Sequence, residues 1–419
     1  MKVAYLIAIF FLNLVYSSIA AASVIDITFD GLKALLEKGN GKVEATRLEV
    51  EASKNRQGVL LRSFMPSVEL YGAQESFKVG QQPQKNQPAY GAEMKVNVFN
   101  GGRDQLQSEL RDMTTEKKEI QLTRVFSEEL QKARNLYWEI IYSQERIELI
   151  ESTIEINGQN LASAQKRIRS GVATESDRYE FEMKSVDLKR DLDEAKLKLI
   201  NQKKELSVVL NLDSRGEMRF PKDLAHEHNF EEILKHSPKD HEFLFKENEI
   251  QASTTSLSAK SQSRTWWPKV DAYAAYNQFN EREEEFSQAK DRTETVVGLR
   301  MTLSLPAGFE SNNEASALNR EAEAYKKLAE YQRREVETHV ETELSELRLR
   351  HDQVHDAEEN IQRAERYYKL TQSEYARGVK NSPDVLGAAD KLFEMKHKRL
   401  EIIRDFQISK AHVLAKIGR

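Results

Sequence analysis

The sequence predicts an α+β fold of two structural repeats, each consisting of a helix, a β-hairpin, a long helix, a turn and a returning helix. Three observations support this prediction. Apolar residues recur every seven positions in two long segments, as they do in helices that pack side by side. The second segment repeats the first about 207 residues later. Segments that alternate apolar and polar residues, the period of a β-strand, lie between the helical segments.

The composition sets the first limits on class and partners. The chain has 419 residues, of which only 17 are glycine and 8 are proline, while 31% are charged. This favours elongated helices over several compact domains. The net charge is −5, and no basic stripe with interleaved aromatic residues is present. We therefore do not expect the protein to bind nucleic acid.

Residues 1–22 have the features of a secretory signal. Lys2 precedes an apolar stretch over 3–15, and small residues that suit cleavage follow, at Ser18-Ile19-Ala20 or Ala20-Ala21-Ala22. An uncleaved membrane anchor is the alternative, although the apolar stretch is short for a span. The chain has no cysteine, so we expect neither a disulfide nor a lipid-accepting cysteine after the signal.

The two repeats, 23–210 and 230–419, each open with a helix that stops before a proline. Val50-Glu51-Ala52-Ser53 corresponds to Ile250-Gln251-Ala252-Ser253 at an offset of 200 residues. Pro66 and Pro268 follow, and proline cannot continue a helix. A β-hairpin is predicted from there, over 66–99 in the first repeat and 268–305 in the second.

The hairpins are predicted from alternation. Apolar residues occupy every second position in the later strand of each: Tyr90, Ala92, Met94, Val96 and Val98, then Thr295, Val297, Leu299, Met301, Leu303 and Leu305. The polar segments 80–88 and 281–291 are the expected loops. One apolar and one polar face suits a membrane barrel, and a soluble hairpin on a core is the alternative. Aromatic residues beside the strands are candidates for interfacial belts or for packing at the junction: Trp266, Trp267, Tyr71, Tyr273 and Phe77.

Long helices follow the strand-breaking residues Asn100-Gly101-Gly102 and Pro306-Ala307-Gly308. They are predicted over 103–170 and 312–377, each about 100 Å long at 1.5 Å per residue. The heptad positions are Ile140, Ile147, Ile154, Leu161 and Ile168 in the first copy and Leu347, Val354, Ile361, Tyr368 and Tyr375 in the second. Each helix turns at a glycine, Gly171 or Gly378, and returns over 175–210 or 384–417. The segment 211–229 links the repeats.

The strand count predicts an oligomer. One chain offers four strands, which cannot close a barrel, and an open sheet edge is not tolerated in hydrocarbon. Two copies give eight strands, whose interior side chains fill, whereas three give twelve and leave a lumen. We therefore expect a homotrimer with a 12-stranded β-barrel, continued by an antiparallel α-helical coiled-coil tunnel.

At this level of detail the chain resembles the TolC-type outer-membrane factors of efflux pumps and type I secretion systems, over essentially the whole mature chain. Four segments carry the resemblance: Phe64-Met65-Pro66-Ser67, Val98-Phe99-Asn100-Gly101-Gly102-Arg103, the first tip at 167–177 and the second tip at 375–386. The resemblance implies a trimeric exit duct in the outer membrane of a Gram-negative-type cell, in contact with outer-membrane lipid. It also implies a large periplasmic part, whose tips dock with a periplasmic adaptor protein from an inner-membrane transporter.

The resemblance further implies a gate at the tips, made of a hydrogen-bonded network and rings of aspartate. The matching positions here are Ser176, Asp177, Tyr375, Lys380 and Asp384. The tip residues expected to contact the adaptor are Gly171, Val172, Ala173, Gly378 and Val379. Lys380 is a possible partner for Asp177 of a neighbouring hairpin, and simple helix capping is the alternative role of the two aspartates. The chain departs from the two-aspartate pattern of the family, because Gly387 stands three residues after Asp384.

No catalytic constellation, cofactor motif or metal-ligand set stands out. Glycine-rich phosphate loops and Ser/His/Asp motifs are absent from the sequence, and His351 and His355 lack a further ligand pair. We therefore expect a conduit that is not an enzyme and binds no cofactor. The alternative is a periplasmic or surface coiled-coil protein that tethers an assembly without a conducting pore.

Overall fold

The computed structural model describes residues 25–57, 60–77, 85–213, 216–222, 224, 243–280, 291–304 and 310–416. The expected secretory signal at 1–22 lies outside these residues. So do Pro306-Ala307-Gly308 and part of the expected linker, 225–229.

The described residues form the predicted order of elements twice. In the first repeat these are β1 (Ile25–Asp26), α1 (Gly31–Gly39), α2 (Gly41–Arg56), a 3-10 turn (Leu60–Phe64), β2 (Ser67–Phe77), β3 (Lys85–Asn100), α3 (Arg103–Arg169) and α4 (Glu175–Val209). After β4 (Met218–Arg219), the second repeat has α5 (Phe243–Ser263), β5 (Lys269–Asn280), β6 (Asp291–Thr302), α6 (Glu310–Ala376) and α7 (Ser382–Lys416). The predicted α+β class, with two helix–hairpin–long helix–returning helix repeats, is confirmed.

Two differences between the strands and their predicted bounds have a clear physical reason. Residues 85–88 were expected in a loop but lie in β3, because that strand pairs with β2 as far as Phe77 opposite Lys85. Ladder pairing therefore outweighs their polar composition. Leu303 was expected in β6 but follows its end. The partner strand β5 begins at Lys269, directly after Pro268, which has no N–H to extend the ladder.

The second pair of helices begins slightly earlier than predicted. The long helix α6 starts at Glu310 rather than at residue 312, and α7 starts at Ser382 rather than at residue 384. In α7 the reason is a cap. The side chain of Asn381 accepts a hydrogen bond from the Asp384 N–H at 3.2 Å, which satisfies an amide of the first turn.

The chain divides into two compact units. The tip unit comprises Met1–Ala45, Thr123–Glu242 and Arg334–Arg419, and the sheet unit comprises Thr46–Leu122 and Phe243–Arg333. The sheet unit contains one antiparallel sheet in the order β2-β3-β5-β6. The hairpin of the first repeat thus joins that of the second through β3 and β5.

The tip unit holds the helical hairpins and the short parallel pair of β1 and β4. At the heptad positions, Ile140, Leu347 and Val354 are buried. Near the tips, a core cluster is formed by Ala164, Phe181, Ala364, Tyr368, Tyr375, Val385, Ala388 and Leu392. Tyr368 is buried and its hydroxyl accepts a hydrogen bond from the amide of Asn160 at 3.2 Å. The tyrosines at heptad positions are therefore core residues, as the pattern favoured.

Candidate functional site: the sheet faces and the helical tips

The sheet has one apolar face, which the strand registers define. Val68 lies opposite Met94, Met94 opposite Ala274, and Ala274 opposite Val297, so these side chains share a face. The other members of the apolar face are Leu70, Tyr90, Ala92, Val96, Ala272, Tyr276, Leu299 and Met301. Large side chains on this face are exposed; for example, Leu70 is 78% exposed and Val297 is 79% exposed. A single copy thus presents an uncovered apolar surface on both hairpins.

The opposite face of the sheet is polar. It includes Glu69, Glu93, Lys95, Asp271, Asn277, Glu294 and Arg300, again by register. Asp271 is 3% exposed and its carboxylate lies 3.6 Å from the ammonium of Lys95 and 3.4 Å from that of Lys269. A carboxylate placed between two cations forms a local charge network that a lipid-facing surface would not tolerate.

Two tyrosines lie flat on the polar face, each across a glycine of the next strand. A Cβ added to Gly91 would overlap the ring of Tyr71, and one added to Gly298 would lie 3.2 Å from the ring of Tyr273. Tyr71 and Tyr273, which were candidates for an interfacial belt or for packing at the junction, therefore belong to the polar face. Tyr90 and Tyr276 instead lie on the apolar face.

Both helical tips turn in the same way. In the first, Gly171 has φ +72°, its N–H bonds to the carbonyl of Ile168 at 3.0 Å, and the Val172 N–H bonds to that of Arg167 at 3.0 Å. In the second, Gly378 has φ +82° and Val379 bonds to the carbonyl of Glu374 at 3.0 Å. These are Schellman caps, which require a left-handed residue that glycine adopts without a steric penalty.

Each returning helix begins with a reciprocal cap. The Asp177 carboxylate accepts from the Thr174 N–H at 2.9 Å, and the Asp384 carboxylate accepts from the Asn381 N–H at 3.2 Å. Each aspartate stands three residues after the N-cap residue, in the first turn of its helix. A carboxylate there also interacts favourably with the positive end of the helix dipole. The capping role of Asp177 and Asp384 is therefore present in the structure.

Ser382 connects the two tips. It is 1% exposed, and its hydroxyl lies within hydrogen-bond distance of the Asp177 carboxylate and 2.7 Å from the carboxylate of Glu180. Partial burial alone would raise the pKa of Asp177. The hydrogen bonds from Ser382 and Thr174 outweigh it and hold the pKa of Asp177 below its usual value.

A second connection runs from Arg167 to Tyr375. The guanidinium donates to the Tyr375 carbonyl and lies 4.0 Å from the centre of its ring, a cation–π contact. Tyr375 is 2% exposed, and burial raises its pKa. The positive charge of Arg167 lowers that pKa, whereas the carboxylates of Asp177 and Glu180 raise it. The Tyr375 side chain thus lies near the same two carboxylates, Asp177 and Glu180, that the Ser382 hydroxyl contacts.

The structure brings some of the candidate gate residues together and separates others. Asp177 and Tyr375 share the region around Ser382, whereas Lys380 lies 3.7 Å from Asp384 of its own tip. Ser176 is exposed, and so are Gly171 and Gly378. Val172 is 63% and Val379 is 70% exposed, while Ala173 is intermediate.

Arg167, Glu180 and Ser382 were not predicted as site residues. Two of them, Arg167 and Ser382, lie inside the tip segments that carry the family resemblance. Their partners are about 205 residues away, at Tyr375 and Asp177. The 207-residue repeat was the one signal that points to this pairing of the two tips.

The described residues meet neither the requirements of a metal site nor those of a membrane-spanning helix. Among them, no three His, Cys, Asp or Glu side chains form a group that suits a metal ion. His351 and His355 lie beside the carboxylates of Asp352 and Glu359, at 3.4 and 3.9 Å. None of the described helices is long and apolar enough to cross a membrane.

Residues 242–419 match the family described as "Outer membrane efflux protein". This match covers most of the second repeat, which is thus similar to outer membrane efflux proteins. No curated protein matches the sequence. The first repeat lies outside the matched residues.

Solved structures extend the fold of outer membrane efflux proteins to nearly the whole chain. The chain is similar to CusC at 12% identity and TM-score 0.79, over 96% of this chain and 95% of that one. It is similar to the outer membrane protein VceC of Vibrio cholerae at 12% identity and TM-score 0.76, over 93% and 96%. The CmeC outer membrane channel of Campylobacter jejuni gives 13% identity and TM-score 0.74, over 93% and 85%. The resemblance to TolC-type factors is thus confirmed at the level of fold.

Proposed function

We propose that this chain is the outer-membrane exit duct of a tripartite efflux pump or type I secretion system. In this proposal three copies form a 12-stranded barrel in the outer membrane, and their helices form a tunnel in the periplasm. Cargo passes through passively, and any energy comes from the inner-membrane partner. In this proposal the chain is a channel and not an enzyme; the similar structures of OprN and CmeC are described as outer-membrane channels.

One observation carries the proposal. The sheet has a large exposed apolar face and a polar face, and each of its outer strands, β2 and β6, has one paired neighbour among the described residues. An apolar face suits lipid, but two unpaired edges do not. Neighbouring copies that pair edge to edge satisfy both requirements and turn the polar face toward a lumen.

The tips are the proposed gate. Ser176, Asp177, Tyr375, Lys380 and Asp384 match the gate positions of the family, and we add Arg167, Glu180 and Ser382 from their contacts with Tyr375 and Asp177. Hydrogen bonds and a cation–π contact of this kind hold the two tips of one copy together. The two tips would separate when a partner offers competing contacts.

The exposed turn residues are the proposed docking surface for the adaptor. Gly171, Val172, Ala173, Gly378 and Val379 form the two turns, and the valine side chains in particular are exposed. An adaptor that buries both valines would gain apolar contact at the point where the Schellman caps end. The adaptor, in turn, would connect the duct to an inner-membrane transporter.

Assembly and conductance test the function together. We expect the mature protein to be recovered from outer-membrane fractions as a trimer whose migration in gels changes on heating. In planar lipid bilayers the purified trimer should conduct ions. A soluble periplasmic monomer that does not conduct would instead favour the coiled-coil tether.

A further inference from the structure

The outer strands β2 and β6 define where neighbouring copies must meet. In the proposed trimer, β6 of one copy pairs with β2 of the next, and this subunit seam closes the barrel. The inference rests on the proposed function and concerns the register of the seam, that is, which residue of β6 lies opposite which residue of β2.

The two hairpins share one register along their whole length. Tyr71 lies opposite Gly91 in the first hairpin, and Tyr273 lies opposite Gly298 in the second. The strand β5 therefore corresponds to β2 at an offset of 202 residues, and β6 corresponds to β3 at an offset of 207 residues. Both ends of the first ladder, Ser67 opposite Lys95 and Phe77 opposite Lys85, obey the same offsets.

The join between the two repeats supplies a template for the seam. At this join β3 pairs with β5, with Gly91 opposite Asn277, Glu93 opposite Ala275 and Lys95 opposite Tyr273. We propose that β6 pairs with β2 of the neighbouring copy in the equivalent register. The offsets then place Gly298 opposite Glu75, Arg300 opposite Ala73, and Thr302 opposite Tyr71 of the neighbouring copy.

The tyrosine–glycine contacts support this equivalence with side-chain geometry. Tyr71 on β2 crosses Gly91 on β3, and its hydroxyl donates to the Asn277 side-chain oxygen on β5. It thus links three adjacent strands. Tyr273 on β5 crosses Gly298 on β6 in the same way, but β6 is an outer strand. In the proposed seam, the third strand that Tyr273 reaches is β2 of the neighbouring copy.

Engineered disulfides test the register directly, because the chain has no cysteine of its own. We choose Ala73→Cys combined with Arg300→Cys. Within one chain these positions are three strand spacings apart across the sheet, which alone is about 14 Å, and Arg300 is eight residues along β6 from Arg292, the residue in line with Ala73, so they are too far apart for a disulfide. Across the seam they lie directly opposite, so oxidation of the purified trimer should link all three copies. Denaturing, non-reducing gels should show a three-chain band that dithiothreitol returns to a single chain.

Two matched controls accompany this pair. Glu93→Cys with Ala275→Cys is the equivalent pair at the join inside the chain, and it should close an intrachain disulfide. Ala73→Cys with Thr302→Cys moves one partner by two residues on the same face, to a diagonal spacing of about 7–8 Å. We expect this slipped pair to link at least about tenfold more slowly than the designed pair, because its Cα atoms exceed the usual disulfide limit.

Each outcome decides the proposal. Faster linking of the slipped pair would mean that the seam has another register. If the intrachain control closes while neither seam pair links, β6 and β2 of neighbouring copies do not pair in the proposed register, and the proposal is wrong. A linked trimer that retains single-channel conductance supports both seam and function. A linked trimer that does not conduct supports the seam and contradicts the proposed function.

Discussion

At the scale of single residues, one of the two connections between the tips depends on a single hydroxyl proton. Ser382 lies within hydrogen-bond distance of both Asp177 and Glu180, but a serine hydroxyl can donate to only one carboxylate at a time. The pKa of Asp177 is held down in the folded tip. The stabilisation from Asp177 is therefore present above its ordinary pKa and is lost as pH falls through the lowered folded-state pKa.

Replacement of this hydroxyl should loosen the tips. In Ser382→Ala the partial burial of Asp177 remains while its main hydrogen-bond donor is lost, so the pKa of Asp177 should rise. We expect a loss of about 1 kcal/mol of tip stability, since a hydrogen bond to a partly exposed carboxylate is worth about that much. If the tips gate the duct, single-channel conductance at neutral pH should be higher in Ser382→Ala than in the wild type. As the pH is lowered, the rise in conductance that follows protonation of Asp177 should begin at a higher pH in the variant.

A serine outside the proposed gate provides the control for this prediction. Ser345 is exposed on α6, and its hydroxyl donates to the Glu341 carbonyl of the same helix at 2.8 Å, so Ser345→Ala should leave conductance and its pH dependence unchanged. If Ser382→Ala and Ser345→Ala behave alike, the hydroxyl of Ser382 does not hold the tips together.

The turn glycines lead to a prediction about backbone conformation. Gly378 has φ +82° and no neighbouring atom within 4 Å of an added Cβ, so Gly378→Ala would cost only backbone strain, about 1–2 kcal/mol. Gly158 lies inside helix α3 and is equally free of neighbours. Gly158→Ala should therefore stabilise the protein by about 1 kcal/mol. Thermal melting followed by circular dichroism should shift in opposite directions for the two variants, and shifts of the same sign would contradict this account.

At the scale of elements, the sequence predicts the helices more fully than the site. The heptad positions and the glycines at 171 and 378 are local signals, so they predict both long helices and their turns. The ends of β3 and β6 depend instead on which residue of the partner strand lies opposite, as Phe77 and Lys269 show. The contact of Ser382 with Asp177 joins residues 205 positions apart. Helix periodicity cannot reveal it, since it depends on how two helical hairpins align in space.

The two faces of β2 lead to a prediction about membrane insertion. Leu70 lies on the apolar face and Ala73 on the polar face of the same strand. Leu70→Arg should reduce the stability of the inserted barrel by about 2–4 kcal/mol if Leu70 lies near the bilayer midplane. Ala73→Glu should insert normally, because its side chain would point into the lumen, where the proposed seam places it opposite Arg300 of the neighbouring copy. The yield of heat-modifiable trimer in outer-membrane fractions measures the difference, and equal yields would show that the apolar face does not contact lipid.

At the scale of the whole molecule, the proposed trimer would give the tips a property that one copy lacks. Threefold symmetry would bring three copies of Asp384 around one axis, where their charges attract cations. Within one copy, however, the Asp384 carboxylate serves two local partners. It accepts from the Asn381 N–H at 3.2 Å and lies 3.7 Å from the Lys380 ammonium. The Asp384 side chain would therefore serve both as a helix cap within one copy and as one member of a charged ring in the trimer.

Two substitutions separate these roles. Asp384→Asn keeps an oxygen that can accept from the Asn381 N–H but removes the charge, whereas Asp384→Ala removes both. If a ring of Asp384 selects cations, both variants should lower the cation-to-anion permeability ratio in planar bilayers to a similar extent. Asp384→Ala alone should lose about 1 kcal/mol of stability through the missing cap. Lys380→Gln should raise cation selectivity, since it removes a compensating positive charge from each tip. An unchanged permeability ratio in all three variants would leave Asp384 as a helix cap and place the selective constriction elsewhere along the tunnel.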